Sequence, residues 1–273
     1  SVDRYVNLQQ QGVPLVLVNG FRRGVEANFV SSDDEAAVEH AVTHLRELGH
    51  RRIGLAVGPK QYVPVQAKVA AFRRVMTGVP GLSELIVTGL FTVEGGAHAT
   101  ATLVDRGATA IVYGSDIMAL GGMRQARRLG LSVPRDLSII GYDASPLMAF
   151  TDPPLTTLRQ SVLEMSEAIV LALLDGIHAG QEPRPHLVFQ PELVVRSSTG
   201  RVPATALREP LGAAQPHQRG VIVAQLEAQS ADIGAGCEAV VHRGGDAHGV
   251  VRIGALGGGE KFRDPRLRIE RRR

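Results

Sequence analysis

The stretch Leu137 to Arg159, LSIIGYDASPLMAFTDPPLTTLR, decides the fold. Leu137 to Tyr142 is a short, apolar, partly β-branched run that closes on Gly141 and Tyr142, the pattern of a strand buried on both faces of a sheet. Asp143 follows at the carboxyl end of that run, where open α/β sheets place the groups that touch ligands. Pro153 and Pro154 then exclude helix and impose an extended crossing, which runs through LTTLR into a second helical stretch. A mid-sheet strand followed by such a crossing reads as a hinge.

Upstream, three more strand-like runs, Ile53 to Val57, Leu85 to Thr88 and Ala110 to Tyr113, alternate with helical ones. The spacing predicts helices over about Val65 to Met76, Val93 to Val104 and Ile117 to Leu129, stopped by Gly78, Gly107 and Gly130. Alternation of this kind gives right-handed crossovers and a parallel sheet. Before them, Ser1 to Gln11 has a weak helical pattern, Val13 to Val18 (VPLVLV) is a buried strand ending in Asn19 and Gly20, and Val25 to Val30 is a second short strand. Ser32 with Glu35 reads as a capping box, and Asp33, Asp34 and Glu35 suit the positive end of a helix. That helix carries the seam Val38, Ala41, Val42, Leu45 and Leu48 and stops at Gly49. Its His40 and His44 stand four apart without a third ligand and read as solvated face residues.

Downstream, Met165, Ile169, Leu173 and Ile177, with Ala168, Val170 and Leu174 beside them, mark a helix apolar over much of its surface, which demands packing. Leu187 to Val195 (LVFQPELVV) reads as one further strand. Beyond Gly200 the chain is rich in Gly, Ala and Arg; GVIVAQL and GVVRIGAL are the two strand-like runs, and disorder is the default expectation for residues 201–273.

Composition narrows the functional classes. The net charge of +3 divides into 18 basic against 19 acidic residues over positions 1–200 and 12 against 8 over positions 201–273. A near-neutral body lacks the basic face that duplex binding requires, so direct nucleic-acid contact by residues 1–200 is not expected. The basic RLRIERRR at the end reads as a solvated terminus rather than a nucleic-acid contact. A single cysteine, Cys237, excludes an intrachain disulfide and a multi-cysteine zinc site, and suits a reducing cytoplasm. The apolar runs fall far short of a membrane span, and Ser1 to Gln11 has no leader character, so neither membrane nor export is expected. No GxSxG, P-loop, GxGxxG after a strand, HExxH or CxxC is present, so no cofactor and no enzyme activity is expected. Asp116 and Asp143 could imitate a glycosidase pair, but a periodic parallel sheet with hinge-like crossings reads better as a clamp.

The strand ends supply a binding constellation. Gly58, Pro59 and then Lys68 follow the first strand of the alternating set, Phe91 the second, Ser115 and Asp116 the third, and Asp143 the fourth. A carboxylate accepts two hydroxyl hydrogens at once, an ammonium donates to hydroxyl or ring oxygen, and an aromatic ring lies against a sugar's CH face, so the set suits a polyol. Asp116 reads as the helix N-cap. Asn19 either joins this set or, with Gly20, makes only a turn, and Asp143 has the same alternative reading.

The order of GYD, a gap and PPLTT resembles the effector-binding domain of LacI/GalR transcription regulators, and the likeness extends over residues 13–200. VPLVLVN is similar to the last parallel strand of that family's first lobe, ELGHRRIGLAVGP to its helix-to-strand turn, AKVAAFRR to its ligand-side helix and RSSTG to its usual ending. The strongest match is DIMALGGMRQARRLGLSVPRDLSIIGYD. Departures fall at Lys68, where arginine is commonest, at Ala71 for glycine, at Ser115 for asparagine and at Ala144 for a second aspartate. Lysine keeps the charge but loses the bidentate fork.

The resemblance implies an α/β, periplasmic-binding-protein-like type I fold with two parallel-sheet lobes and hinge crossings. Its first lobe would be incomplete: residues 1–30 as a remnant, completed by about 160–186, with residues 31–200 as the second lobe and a tail over 201–273. It implies ligand contacts from Asn19, Lys68, Phe91, Ser115 and Asp143. It further implies a small sugar-like effector, a cytoplasmic homodimer, and operator DNA bound through a helix-turn-helix headpiece that this chain does not contain. With part of the first lobe lacking, ligand binding by this chain is expected to be weak. The rival is the sugar-binding protein of an ABC transporter, which shares the fold but lacks PPLTT and RSSTG.

Overall fold

The structure, a computed structural model, describes residues 2–20, 25, 27–178, 186–202, 237–243 and 247–253. It divides into two units, Ser1–Glu209 and Pro210–Arg273. In the second, β10 (Cys237–Arg243) and β11 (Ala247–Ile253) pair antiparallel, with Val240 opposite Val250. GVVRI of the expected run GVVRIGAL thus lies in a strand, within a tail for which the sequence predicts no order; GVIVAQL and RLRIERRR fall outside the described residues.

The first unit holds two sheets. The larger comprises β3 (Ile53–Val57), β4 (Ile86–Thr88), β5 (Ala110–Tyr113), β6 (Ser138–Tyr142), β7 (Thr156–Arg159) and β9 (Glu192–Val194), in the order β4-β3-β5-β6-β7-β9. Every pairing is parallel except that of β7 with β9. The helices α2 (Asp34–Glu47) and α3 (Val63–Val75) cover one face, and α4 (Val93–Asp105) and α5 (Asp116–Arg128) the other. Strand alternation divides the core. Leu55, Val57, Val112, Ile140 and Tyr142 pack with α2 and α3, whereas Ala56, Ile111, Tyr113 and Ile139 pack with α4 and α5. The α4–α5 contact is close because Gly96 and Gly121 bring the backbones together: a Cβ at either would lie 1.9 Å from a carbonyl oxygen of the facing helix.

The smaller sheet is all parallel, in the order β1 (Val16–Val18), β2 (Asn28–Ser32), β8 (Leu187–Phe189). It is accompanied by α1 (Val2–Gln10) and by α6 (Val162–His178), which packs on β1 and β2. The helix α6 departs from expectation. Met165 and Ala172 are buried, but Leu163, Val170, Leu171, Leu174 and Ile177 remain exposed, so its apolar surface is only partly covered within this chain.

Leu187 to Val195 is two strands rather than one. Gln190 and Pro191 break it, so that β8 closes the small sheet and β9 joins the large one, on opposite sides of a change of lobe. The small sheet therefore extends to Leu187–Phe189, just past the span 160–186 expected to complete the first lobe. Three crossings result, at Asp33, at Gln160–Ser161 and at Gln190–Pro191, and they are bonded to one another. Asp33 N donates to Phe189 O at 2.9 Å, Gln190 Nε2 to Asp33 Oδ2 at 3.0 Å, and Ser161 Oγ to Gln190 O at 3.5 Å.

The ending RSSTG is anchored in the large lobe. Ser198 Oγ donates to Ile139 O at 2.6 Å and accepts from Thr156 N at 2.8 Å. His50, fully buried, lies 3.0 Å through Nε2 from Gly200 O. A carbonyl only accepts, so Nε2 carries the proton and Nδ1 accepts from Thr109 Oγ1 at 2.8 Å. Of the helix-face pair, His40 is exposed as expected, but His44 is half-buried and its Nε2 lies 3.0 Å from Thr199 Oγ1, which makes it part of the same anchor.

Candidate ligand-binding cleft

A cavity of about 340 Å³ opens at the carboxyl ends of the strands, at the low end of the ~300–1,000 Å³ usual for small-molecule sites. Asn19, Lys68, Phe91, Ser115 and Asp143 all line it, and so do Asp34, Tyr142 and Gln160, which sequence reasoning missed. Apart from the neighbours Tyr142 and Asp143 at the end of β6, each arrives from a different part of the fold, so the site depends on tertiary structure.

Asn19 ends β1 with φ +53°, a left-handed conformation that asparagine tolerates better than most residues. Its Oδ1 accepts from Ser32 N at 3.1 Å, which fixes the turn. The turn-making role is therefore real, and it leaves the amide NH₂ as the group to offer the cleft.

Asp143 sits just past β6 with φ +105°, a sparsely populated conformation for a residue with a Cβ, and strain of this kind concentrates at functional sites. Its backbone N donates to Leu158 O at 2.9 Å. Oδ1 accepts from Gln160 Nε2 at 2.8 Å, which leaves the second oxygen for a ligand. Burial pushes the carboxyl up to about 6, aided by repulsion from Asp116 and Asp34 and opposed by the Gln160 bond and the Lys68 charge. Asp143 keeps an exposed edge at the cleft mouth, where a ligand can reach it.

Behind it lies Asp116, which is not the helix N-cap. Ser115 caps α5, its Oγ accepting from Met118 N at 3.3 Å, while its hydroxyl hydrogen remains for the cleft. The cap falls one residue earlier because Ser115 is extended and Asp116 already helical. Asp116 instead accepts from Thr157 Oγ1 at 2.6 Å and from Ser145 N at 2.8 Å, tying the loop after β6 to β7. Burial raises its pKa. Gly141 is required beside it, since a Cβ there would meet Asp116 Oδ1 at 2.3 Å.

A one-residue shift also occurs at α2. Asp33, not Ser32, is the cap and accepts from Ala36 N at 2.9 Å, so the predicted capping box does not form. Asp34 is thereby placed at the start of α2, facing the cleft. Its Oδ1 is ion-paired with Lys68 Nζ and accepts from Tyr142 Oη at 2.6 Å. The Lys68 ammonium also lies 3.9 Å from the centroid of the Tyr142 ring, a cation–π contact. Burial and the neighbouring Asp34 carboxylate hold the Tyr142 phenol well above its ordinary range.

Phe91 follows β4, its ring 6.2 Å from that of Tyr62. It lies against Gly58, where a Cβ would fall 2.1 Å from the ring. Phe91, Pro64 and Ile117 add apolar surface to the lining of the cleft.

Two α/β lobes joined by three bonded crossings, with a polar and aromatic cleft at the strand ends, define a clamp-type binding protein. Comparison with known proteins agrees: residues 42–199 match the family model for the periplasmic binding protein-like domain, and the chain belongs to that family. Within it, the chain belongs to the LacI family, and its relatives there are transcription regulators rather than enzymes. It is 52% identical over 209 residues to the HTH-type transcriptional regulator MalR of Streptomyces coelicolor, an alignment covering 74% of this chain and 61% of MalR. The chain thus spans about three fifths of the length of the curated relatives it matches. Among solved structures, a LacI family regulator from Enterococcus faecium with bound ribose aligns with TM-score 0.67 at 28% identity, covering 74% of this chain and 76% of that one. A complex of the transcriptional regulator CelR with cellobiose aligns with TM-score 0.65 at 31% identity, covering 70% and 60%. Among the described residues, no helix is long and apolar enough to cross a membrane.

Proposed function

We propose that this chain is the effector-sensing region of a LacI/GalR-type regulator, and that its cleft takes a small carbohydrate. The observation that carries this reading is the convergence of Asn19 from the small lobe, Lys68, Phe91, Ser115 and Asp143 from the large lobe, and Gln160 from a crossing on one cavity. Ribose and cellobiose in two similar regulators support it. Asp143 and Asn19 bond sugar hydroxyls, Phe91 stacks on the ring, and Ser115 and Lys68 address the remaining oxygens. A ligand held by both lobes favours the closed arrangement by its differential affinity for it, and the three crossings are where the closure is absorbed. In a cytoplasmic homodimer, that shift changes the operator affinity of a DNA-binding headpiece. The test is a thermal-shift screen of neutral mono- and disaccharides against the protein. At least one raises the unfolding midpoint in a concentration-dependent way, and a flat response across the screen rejects the reading.

A further inference from the structure

Resting on the reading of the cleft as a carbohydrate site, we propose that Asp34 sets the ligand class: by engaging Lys68, it makes the cleft take uncharged sugars and refuse phosphorylated ones. Among the described residues lining the cavity, Lys68 is the one cation, and two carboxylates, Asp34 and Asp143, line it as well. A phosphate would need Lys68, yet Lys68 is already held on two sides, by the Asp34 carboxylate and by the face of the Tyr142 ring at 3.9 Å. Tyr142 Oη donates to the same Asp34 oxygen at 2.6 Å and fixes it on the lysine.

The pair is desolvated, with side-chain exposures of 7% for Lys68 and 11% for Asp34, so drawing the lysine away leaves a buried carboxylate with its charge uncompensated. Among the described residues, three helices begin at the cleft, and at α3 the lining residue Pro64 has no N–H while Val65 N and Gln66 N already donate to Tyr62 O. The first residue of α2 is Asp34 itself, and α5 is capped by the Ser115 hydroxyl and begins with Asp116. Among the described lining residues a phosphorylated sugar therefore meets carboxylates and an engaged lysine, whereas a neutral sugar uses the same carboxylates as hydroxyl acceptors.

Calorimetric titration of ribose against ribose 5-phosphate, and of cellobiose against cellobiose 6′-phosphate, tests this on the 273-residue protein and on Asp34→Asn. The wild-type protein binds the unphosphorylated member of a pair at least about tenfold more tightly, and Asp34→Asn narrows or reverses that ratio by about tenfold or more. Should Asp34→Asn fail to fold by circular dichroism, Tyr142→Phe, which loosens the hold on Asp34, moves the ratio in the same direction by less. A role for Asp34 in folding alone would lower both affinities together and leave the ratio fixed, which overturns the proposal. Preference of the wild-type protein for the phosphorylated sugar overturns it too, while leaving the carbohydrate reading intact. Absence of binding by every sugar brings down that reading and this inference with it.

Discussion

Gln160 Nε2 donates to Asp143 Oδ1 at 2.8 Å, joining the second crossing between the lobes to the carboxyl end of β6. The bond ties the cleft carboxylate directly to a segment that passes from the large sheet toward α6. The bond also lowers the Asp143 pKa against the burial that raises it. Gln160→Leu removes that counterweight: the pKa of Asp143 rises further, and sugar affinity at neutral pH falls by roughly tenfold, the cost of one hydrogen bond to a charged group. Calorimetry on the variant across a pH series checks both effects.

The wild-type protein should bind its sugar less well in acid. Ionised Asp143 accepts two hydroxyl hydrogens, and the protonated form accepts fewer, so affinity is full above about 6 and declines as pH falls through that value. The groups that set this window are Asp116, Asp34, Lys68 and Gln160 around the carboxyl. Titrations from pH 5 to 8 in buffers of different ionisation enthalpy read it directly, since binding near the midpoint releases a proton. Affinity that is flat or rises toward low pH would contradict the role given to Asp143.

His50 makes folding itself sensitive to acid. Burial lowers its pKa, with repulsion from His44 adding to this and the Gly200 carbonyl opposing it. The unfolded chain therefore takes up a proton near the ordinary value of about 6.5 before the native state does, so this contribution to stability is present at neutral pH and is lost as pH falls below about 6.5. Raised carboxyl pKa values at Asp143 and Asp116 act in the opposite direction. A variant comparison isolates the histidine: in His50→Gln the drop in melting temperature between pH 7.5 and 5.5 is smaller than in wild type, measured by circular dichroism.

Gly58 is the seat of Phe91. Gly58→Ala forces the ring out, because the added methyl would overlap Phe91 at 2.1 Å. Phe91 is partly exposed at the cleft wall and can swing away, so the stability cost stays near the low end of the ~1–3 kcal/mol usual for overpacking. Sugar affinity falls instead, as a readout of lost stacking, and competition titration alongside a melting curve separates the two effects.

Much of this architecture is legible in the sequence. Ile53–Val57 and Ala110–Tyr113 form strands at the bounds their sequence predicts, because strands buried on both faces are written as unbroken apolar runs. The same rule finds the strand ends, and so brings Lys68, Phe91, Ser115 and Asp143 to one cavity. The caps at Asp33 and Ser115 were each displaced by one residue, since either of two adjacent polar residues can cap and tertiary demand chooses. Leu187 to Val195 could not be divided in advance, because three-residue strands owe their identity to partners far away in the chain. Asp34, Tyr142 and Gln160 carried no local signal for the cleft. Asp34 reads as a dipole-complementing acid, and its bond to Tyr142 spans 108 residues of sequence.

The most direct test of the central claim is a calorimetric titration of ribose and of cellobiose into the wild-type protein and into Asp143→Asn at pH 7.5. Saturable one-site binding by the wild-type protein, weakened roughly 10- to 100-fold by the loss of one charged acceptor, is the predicted result. Heat that is absent in both proteins, or an Asp143→Asn isotherm that superimposes on the wild-type one, would contradict a carbohydrate cleft built on Asp143.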